Sequence, residues 1–386
     1  MKKIKLISFL ILIATSLLFV QCTTDPIPGP AGRDGVDGQD GEDGMDGATG
    51  LAECIVCHNA TTTENAHASY LFSGHYNENM DHREPRPQGS PEGPYVELSR
   101  YGNRGFGPNF GTSTCTACHT SDGYIDWAEK GTALTGDAVG PIYPGTQTIT
   151  CNTCHDKHTS FDFEDEGYDF ALRVIDPVTL LADASKTIDY GKDEMTSHTC
   201  ATCHQPRSTF EGSLNDDGTY NVGGRFGPHY GAQSTLLEGI HGAELDGYTY
   251  RAKDATAVHR SRSSCTNCHM GVPTGDLLDN GLHSKNPTET SCTVCHRSGI
   301  PSKDFLKEDF KALEDLLVAK GIIEITIDPD TGEEEVDIIS NDKMDLIPAA
   351  ALWNYKMIYY DHSHGVHNPN YSKDLVRNSI DALNAN

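Results

Sequence analysis

Hydrophobic patterning is clearest at the two ends of the chain. Behind Lys2, Lys3 and Lys5 runs a largely apolar stretch from Leu6 to Val20. It is shorter than the roughly 20 residues a membrane-spanning helix needs, so it predicts a processed export signal over 1–21. At the other end, Lys303–Lys320 sets Leu306, Phe310, Leu313 and Leu317 on one helical stripe, with Phe305 beside it and Gly321 as a stop. Ile322–Ile327 and Glu335–Ile339 flank Asp328-Pro-Asp-Thr-Gly and predict a β-hairpin. A calcium loop is the poorer reading of that turn, because Ile339 stands where the closing Glu belongs. Two more helices are expected over Ala349–Tyr360 and Lys373–Asn384, the second capped by Ser372. Leu214-Asn-Asp-Asp-Gly-Thr reads as a hairpin turn, and loops rich in Gly, Pro, Asn and Asp dominate 76–110 and 131–150.

Composition sharpens this picture. The 386 residues carry 29 Lys+Arg against 56 Asp+Glu, a net charge of −27. Such a chain is a poor ligand for nucleic acid or anionic lipid headgroups. Only 37% of residues are hydrophobic and mean hydropathy is −0.47, lean for this length, yet there are 13 Cys and 18 His. Something besides aliphatic side chains is expected to fill the interior.

Cys22 directly follows the signal and resembles the acylated first residue of bacterial lipoproteins, although Gln21 replaces the usual small residue. Ordinary cleavage nearby is the alternative. Glycine then recurs at every third position from Gly29 to Gly50, with Asp34, Asp37, Asp40, Asp43 and Asp46 in the third slot. Pro30 is the lone proline in an X or Y slot, which favours a hydrated tether over a collagen-like triple helix. Either form holds the body of the protein away from an anchor.

Twelve cysteines fall into six copies of Cys-x-x-Cys-His. They are Cys54/Cys57/His58, Cys115/Cys118/His119, Cys151/Cys154/His155, Cys200/Cys203/His204, Cys265/Cys268/His269 and Cys292/Cys295/His296. This is the attachment signature of c-type haem. Cysteines three apart lie on one side of a helical turn and reach two vinyl groups of one porphyrin, and the next residue brings an imidazole to the iron. Zinc ribbons and redox dithiols also use Cys-x-x-Cys, but neither requires the histidine. A disulfide framework leaves the histidines equally unexplained. Six covalent haems c are the expected cofactors, and their flat apolar faces account for the lean composition.

The sixth iron ligand separates an electron carrier from an enzyme. Beyond the motifs stand His67, His75, His82, His158, His198, His229, His241, His259, His283, His362, His364 and His367. Local context favours His75, His158, His229, His259 and His283 as distal ligands, with His198 and His241 in reserve. His158 is too close to His155 to cap that haem and suits a neighbouring one. Arg104–Gly111 is a degenerate copy of the Arg225–Gly231 segment around His229, with Asn109 in place of the histidine.

Gly227-Pro-His-Tyr-Gly, Cys265-Thr-Asn-Cys-His-Met and the Asn354-Tyr…Asp361…Gly365-Val-His-Asn-Pro segment resemble the multihaem cytochrome c superfamily, over roughly 51–375. That superfamily holds ammonia-forming nitrite reductases, their octahaem relatives and pure electron carriers. The resemblance implies that His367 caps a haem and adds support to His229, His259 and His283. The Cys-x-x-Cys-Lys site that leaves an open iron in the nitrite reductases is absent here, so the likeness implies haem packing rather than catalysis.

The expected fold is mainly α with extensive irregular loops, a few short β-hairpins and a haem-stack core. The expected domains are a signal at 1–21, an anchor and spacer at 22–50, a hexahaem domain at 51–300 and a C-terminal helical segment at 301–386 that packs on it. Functionally, the leading expectation is an exported carrier without a catalytic residue, relaying electrons between the cell envelope and an extracellular or periplasmic partner. It would be an outer-membrane or cell-surface lipoprotein, or extracellular. Its acidic surface suits basic redox partners, and self-association into a polymeric haem chain is a further expectation, with His67 or His82 able to cap a neighbour's iron. The alternative is a reductase of nitrite, hydroxylamine or a sulfur oxyanion at one open haem. An adhesive stalk rests on the Gly-X-Y run alone.

Overall fold

The computed structural model describes residues 54–55, 57–77, 118, 121–130, 149–229, 231–275, 278–327, 334–339 and 343–385. The leader, Cys22, the spacer, Arg104–Gly111, His82, Cys115, His119 and the 328–333 turn lie outside the described residues. Contacts divide the chain into Met1–Ile55 and Val56–Asn386, and the architecture below belongs to the second unit.

Seven helices carry the description: α1 (Ala60–Tyr70), α2 (Ser121–Lys130), α3 (Thr196–Cys203), α4 (Gln233–Glu238), α5 (Lys307–Ala319), α6 (Leu346–Asp361) and α7 (Pro369–Ala385). Between them lie short helical turns, loops and three two-stranded antiparallel sheets. β1 (Val178–Thr179) pairs with β2 (Thr187–Ile188), and β4 (Ile323–Ile327) pairs with β5 (Glu334–Ile338) in the expected hairpin, Ile323 opposite Ile338. The third sheet is not a hairpin. β3 (Tyr220–Asn221) leaves the 214–219 turn and pairs with the distant β6 (Lys343–Met344), Tyr220 opposite Met344. The turn itself forms as expected: Asn215 N–H donates to Thr219 O at 2.7 Å and Leu214 bridges to Tyr220.

The aliphatic core gathers α5, α6 and α7 against residues 210–245. In α5 the stripe behaves as its spacing requires: Leu306, Leu313 and Leu317 are fully buried, and Phe310 stacks on Tyr355 with ring centres 4.9 Å apart. α6 is apolar around its circumference and therefore runs through the middle, with Ala349 to Ile358 all buried. Asn354, buried in that helix, accepts the Ala243 N–H at 2.8 Å and donates to Ala243 O at 2.9 Å, so one amide completes a backbone segment that crosses the helix. Trp353 Nε1–H donates to His241 O at 2.8 Å. This region is thus a conventional core, built from the predicted C-terminal helices and residues 210–245.

The start of α7 also differs from expectation. Ser372 lies inside the helix, buried, and is not its cap. The helix begins at Pro369, whose fixed φ and missing N–H suit a first turn. Asn368 does the capping, its side-chain oxygen accepting the Tyr371 N–H at 3.2 Å. Between α6 and α7 the chain turns through His362, His364 and Gly365, all at positive φ. A Cβ on Gly365 would stand 2.9 Å from Leu306 and 3.0 Å from Ser372, so glycine serves both the turn and the close packing.

The described residues of 54–205 and 258–300 do not enter this core. A second, smaller cluster gathers Val178, Leu180, Ile188, Tyr190 and Ala201 with Leu237, and Val174, Ile240 and Cys265 pack against it. The lean composition is therefore concentrated in the segments that carry the Cys-x-x-Cys-His motifs.

Two outcomes follow for stability. Replacing Asn354 with Ala strands the Ala243 amide and carbonyl, and thermal unfolding should show a loss of about 2–4 kcal/mol. Lys356 is 3% exposed in α6, and burial lowers its ammonium to about 8, opposed by the Asp337 charge. The unfolded chain binds this proton up to about pH 10.4, so the lysine's penalty is full below pH 8 and fades as pH rises toward 10.4. Lys356→Met should raise stability at pH 7 by roughly 1–3 kcal/mol, seen as a higher melting temperature, and lose that advantage by pH 10.5 in matched melts.

Candidate functional site

The third to sixth motifs are built on helical turns. Thr150 and Ser264 start the third and fifth motifs with capping boxes that use Thr153 and Asn267, residues inside the motifs themselves. The motif histidine then closes the turn: the amides of His155, His204 and His296 donate to the carbonyls of Cys151, Cys200 and Cys292 at 2.9, 3.0 and 2.9 Å. The two sulfurs are thereby held on one side with the imidazole immediately beyond them. None of the eleven described cysteines of the six motifs forms a disulfide. Cys118 and Cys203 are in hydrogen-bonding contact, as are Cys200 and Cys265, so the second, fourth and fifth motifs abut through their thiols.

The cysteines do not share one environment. Cys57, Cys151 and Cys295 are exposed, one each in the first, third and sixth motifs. Cys54, Cys118, Cys154, Cys200, Cys203, Cys265, Cys268 and Cys292 are half-buried. The physical reason is local. Among the described residues, the first, third and sixth motifs contribute no side chain to either aliphatic cluster. The fourth motif instead ends α3, whose Ala201 is buried, and the fifth sits against it through Cys265.

The histidines are arranged in pairs. His58 faces His158 with ring centres 6.1 Å apart, His75 faces His204 at 5.9 Å, and His155 faces His283 at 6.1 Å. His259 faces His296 at 6.1 Å and His269 faces His367 at 6.1 Å. Every pair joins one motif histidine to one histidine outside the motifs. The spacing has a chemical meaning. A first-row metal sits about 2 Å from an imidazole nitrogen, which lies roughly 1.1 Å from its ring centre, so two imidazoles on opposite sides of one iron have centres about 6.2 Å apart. A hydrogen bond between ring nitrogens would bring the centres closer, and although edge-to-face contact also spans this distance, as in His58–His158 and His259–His296, it gives no reason for one motif histidine in every pair.

The outer nitrogens support this orientation. His155 Nδ1 meets Phe170 O at 2.9 Å, His259 Nδ1 meets Val366 O at 2.7 Å, and His269 Nδ1 meets Lys285 O at 2.7 Å. Because a carbonyl only accepts, Nδ1 carries the proton in these rings and Nε2 keeps its lone pair for a metal. His158 and His367 find carboxylates instead, Asp169 and Asp361, each at 2.6 Å. Burial lowers the His155, His269 and His75 imidazoles from their ordinary range and takes His283 to about 4, so these four are neutral, the form that coordinates.

Exposed apolar side chains gather at these places. Ile55 and Val294 lie inside motifs, next to the exposed Cys57 and Cys295, Val258 precedes His259, Val272 follows His269 by three, and Phe161 follows His158 by three. Val272 is 73% and Phe161 74% exposed. A flat apolar group held between the paired imidazoles and bonded to the neighbouring sulfurs would cover such residues, and the residues present therefore fit haem.

Of the candidates named from sequence, His58, His75, His155, His158, His204, His259, His269, His283, His296 and His367 meet in these five pairs. His229 sits at positive φ beside the core helix α6, with Gly227 packed on Lys356; the remaining motif histidine, His119, lies outside the described residues. The reserve His198 has a structural role. Its Nδ1–H donates to Ile175 O at 2.7 Å and its Nε2 accepts the Tyr190 N–H at 2.9 Å, so both nitrogens are used within the fold. His241 turns its Nε2 to Asp183 at 3.4 Å. Sequence reasoning missed Asp169. Asp361 stood in a resembling segment with no role attached. Neither has a spacing rule that could reveal its partner, because the contact is made by a loop.

No protein-family model matches the chain, and no curated protein matches it in sequence. Among solved structures it is similar to the outer cell wall cytochrome OcwA, with 18% identity and a TM-score of 0.40. The alignment covers 83% of this chain and 50% of that one, so the chain spans about half the length of that protein. Among the described residues no helix is long and apolar enough to cross a membrane.

The role of His198 is testable. His198→Ala should cost about 2–3 kcal/mol through the stranded Tyr190 N–H and Ile175 C=O, and leave the visible absorption spectrum per protein unchanged.

Proposed function

We propose that the protein is an exported multihaem c-type cytochrome that relays electrons between the cell envelope and an extracellular or periplasmic partner. The observation that carries this reading is the set of five histidine pairs at 5.9–6.1 Å, each joining a Cys-x-x-Cys-His motif to a histidine elsewhere in the chain. Haem bound to the cysteines would supply the reversible one-electron couple; the chain binds it, saturates both axial positions and packs one site against the next. His119 and His229, the distal ligand favoured by its local sequence, would serve the second motif, giving six haems with twelve histidine ligands.

Several features support a relay. His155 and His158 lie three residues apart yet belong to different pairs, which keeps the first and third sites adjacent. The thiol contacts of the second, fourth and fifth motifs do the same for those sites. The exposed thiols Cys57, Cys151 and Cys295 would place a haem edge of the first, third and sixth sites near the surface, where a partner can exchange electrons. With no methionine ligand, low potentials are expected throughout. The net charge of −27, to which haem propionates would add, favours a basic protein partner and steers its approach. The leader, acylated Cys22 and Gly-X-Y tether would hold this body on the outer membrane or cell surface. A polymer would form by stacking of terminal haems rather than by sharing of ligands, since on this reading the five pairs would cap their irons within the chain. A reductase would need the second motif as its open site.

Purified protein should contain six irons per chain, all low-spin in the ferric state by optical and EPR spectra. A high-spin haem in the wild type would favour the reductase, and zinc in place of iron would end the proposal. His283→Ala should convert a single haem, that of the third motif, to a high-spin form that binds added imidazole. An unchanged spectrum would break the pairing of His155 with His283.

A further inference from the structure

The outer partners of the paired histidines fall into two electrostatic classes. His155, His259 and His269 donate to neutral backbone carbonyls, and His204 Nδ1 meets the Gln233 amide oxygen at 3.3 Å. His158 and His367 face carboxylates that are themselves buried, Asp169 at 4% and Asp361 at 0% side-chain exposure. Asp169 is clamped by neutral donors: the Thr159 N–H at 2.5 Å, the Thr159 hydroxyl at 2.8 Å and the Ala171 N–H at 2.9 Å. Asp361 takes the Ser363 N–H at 3.3 Å and the Ser363 hydroxyl. Among the described residues neither carboxylate has a Lys or Arg within salt-bridge distance, so no cation cancels its charge.

We propose that Asp169 and Asp361 are potential-setting residues, which act through His158 and His367 to hold the haems of the first and fifth motifs at lower potential than the other described sites. The inference rests on the haem reading above. A carboxylate drawing on the Nδ1 proton gives the imidazole imidazolate character and makes Nε2 a stronger donor, and a low-dielectric setting strengthens the effect. A stronger axial donor stabilises ferric over ferrous iron. A neutral carbonyl or amide at the same position draws much less. The six-haem chain would then hold at least two kinds of site despite uniform histidine ligation, and electrons would dwell on the carbonyl-partnered haems.

The test is a spectroelectrochemical titration of the purified holoprotein, with EPR of the oxidised form. Asp169→Asn and Asp361→Asn should each keep all haems low-spin and move a single haem's share of the absorbance change to higher potential. Asp361→Glu, which keeps the negative charge, should largely restore the original curve, and Gln233→Ala should produce no comparable shift. Superimposable titrations for the Asn variants with six low-spin haems would reduce both aspartates to structural roles and overturn the proposal. If an Asn variant fails to hold its haem, Thr159→Val and Ser363→Ala decide the matter. Each removes a neutral donor and leaves the carboxylate a stronger acceptor, so the affected haem should move to lower potential, and no movement overturns the proposal. Failure of the haem reading itself is separate, since it would appear as missing iron in the wild type.

Discussion

Two imidazoles held with their centres near 6 Å are the constraint around which the motif-bearing half of the chain is arranged. Rings at that separation gain at most a weak edge-to-face contact, so the polypeptide alone rewards the spacing little. With a metal between them it becomes a cross-link. The loops it closes are long: His58 meets His158, His155 meets His283, and His269 meets His367. Closing such loops costs chain entropy that grows only slowly with length, and a metal bond can offset it as a disulfide does elsewhere. On the haem reading, cofactor binding and folding of this half would be one process.

The chain fills its interior in two ways. Around α5, α6 and α7 it builds an ordinary core from leucine, alanine and aromatic side chains, completed by buried amides such as Asn354. Around the motifs it supplies little aliphatic material and presents apolar side chains outward, at Val258, Val272 and Phe161. The two halves meet in specific residues. His367 stands on the turn between α6 and α7, and its carboxylate partner Asp361 ends α6. Val366, in the same turn, holds His259. The conventional core therefore orients ligands for two separate pairs, which gives the C-terminal segment a role beyond packing.

Local rules were legible where the physics is local. The α5 stripe, the β4–β5 hairpin and the 214–219 turn depend on neighbours a few residues away, and they form where periodicity and turn chemistry place them. The start of α7 went astray because Ser372 satisfies a capping rule in isolation, whereas Asn368 with Pro369 at the first helical position satisfies it one turn earlier. The β3–β6 pairing left no trace in the sequence, since two-residue strands carry no period and their partners are remote. The motif cysteines read alike along the chain, yet Cys57 and Cys295 lie open while Cys265 packs on an aliphatic cluster, because burial depends on which elements happen to cross above a turn. His198 shows the converse: it is one more histidine by composition, and only its two hydrogen bonds, to Tyr190 and Ile175, remove it from the candidate ligands.

The pentapeptide motifs alone specified which two thiols and which imidazole stand together, because their spacing is set within one helical turn. Which distant histidine faces each of these was a matter for tertiary structure. A loop histidine has no local signature of its partner, and the choice is made by how α1, the 155–171 loop, the 281–285 turn and the α6–α7 turn come together. The same holds for Asp169 and Asp361. A carboxylate becomes part of a ligand's environment through burial and approach, and neither is written in the spacing of residues along the chain.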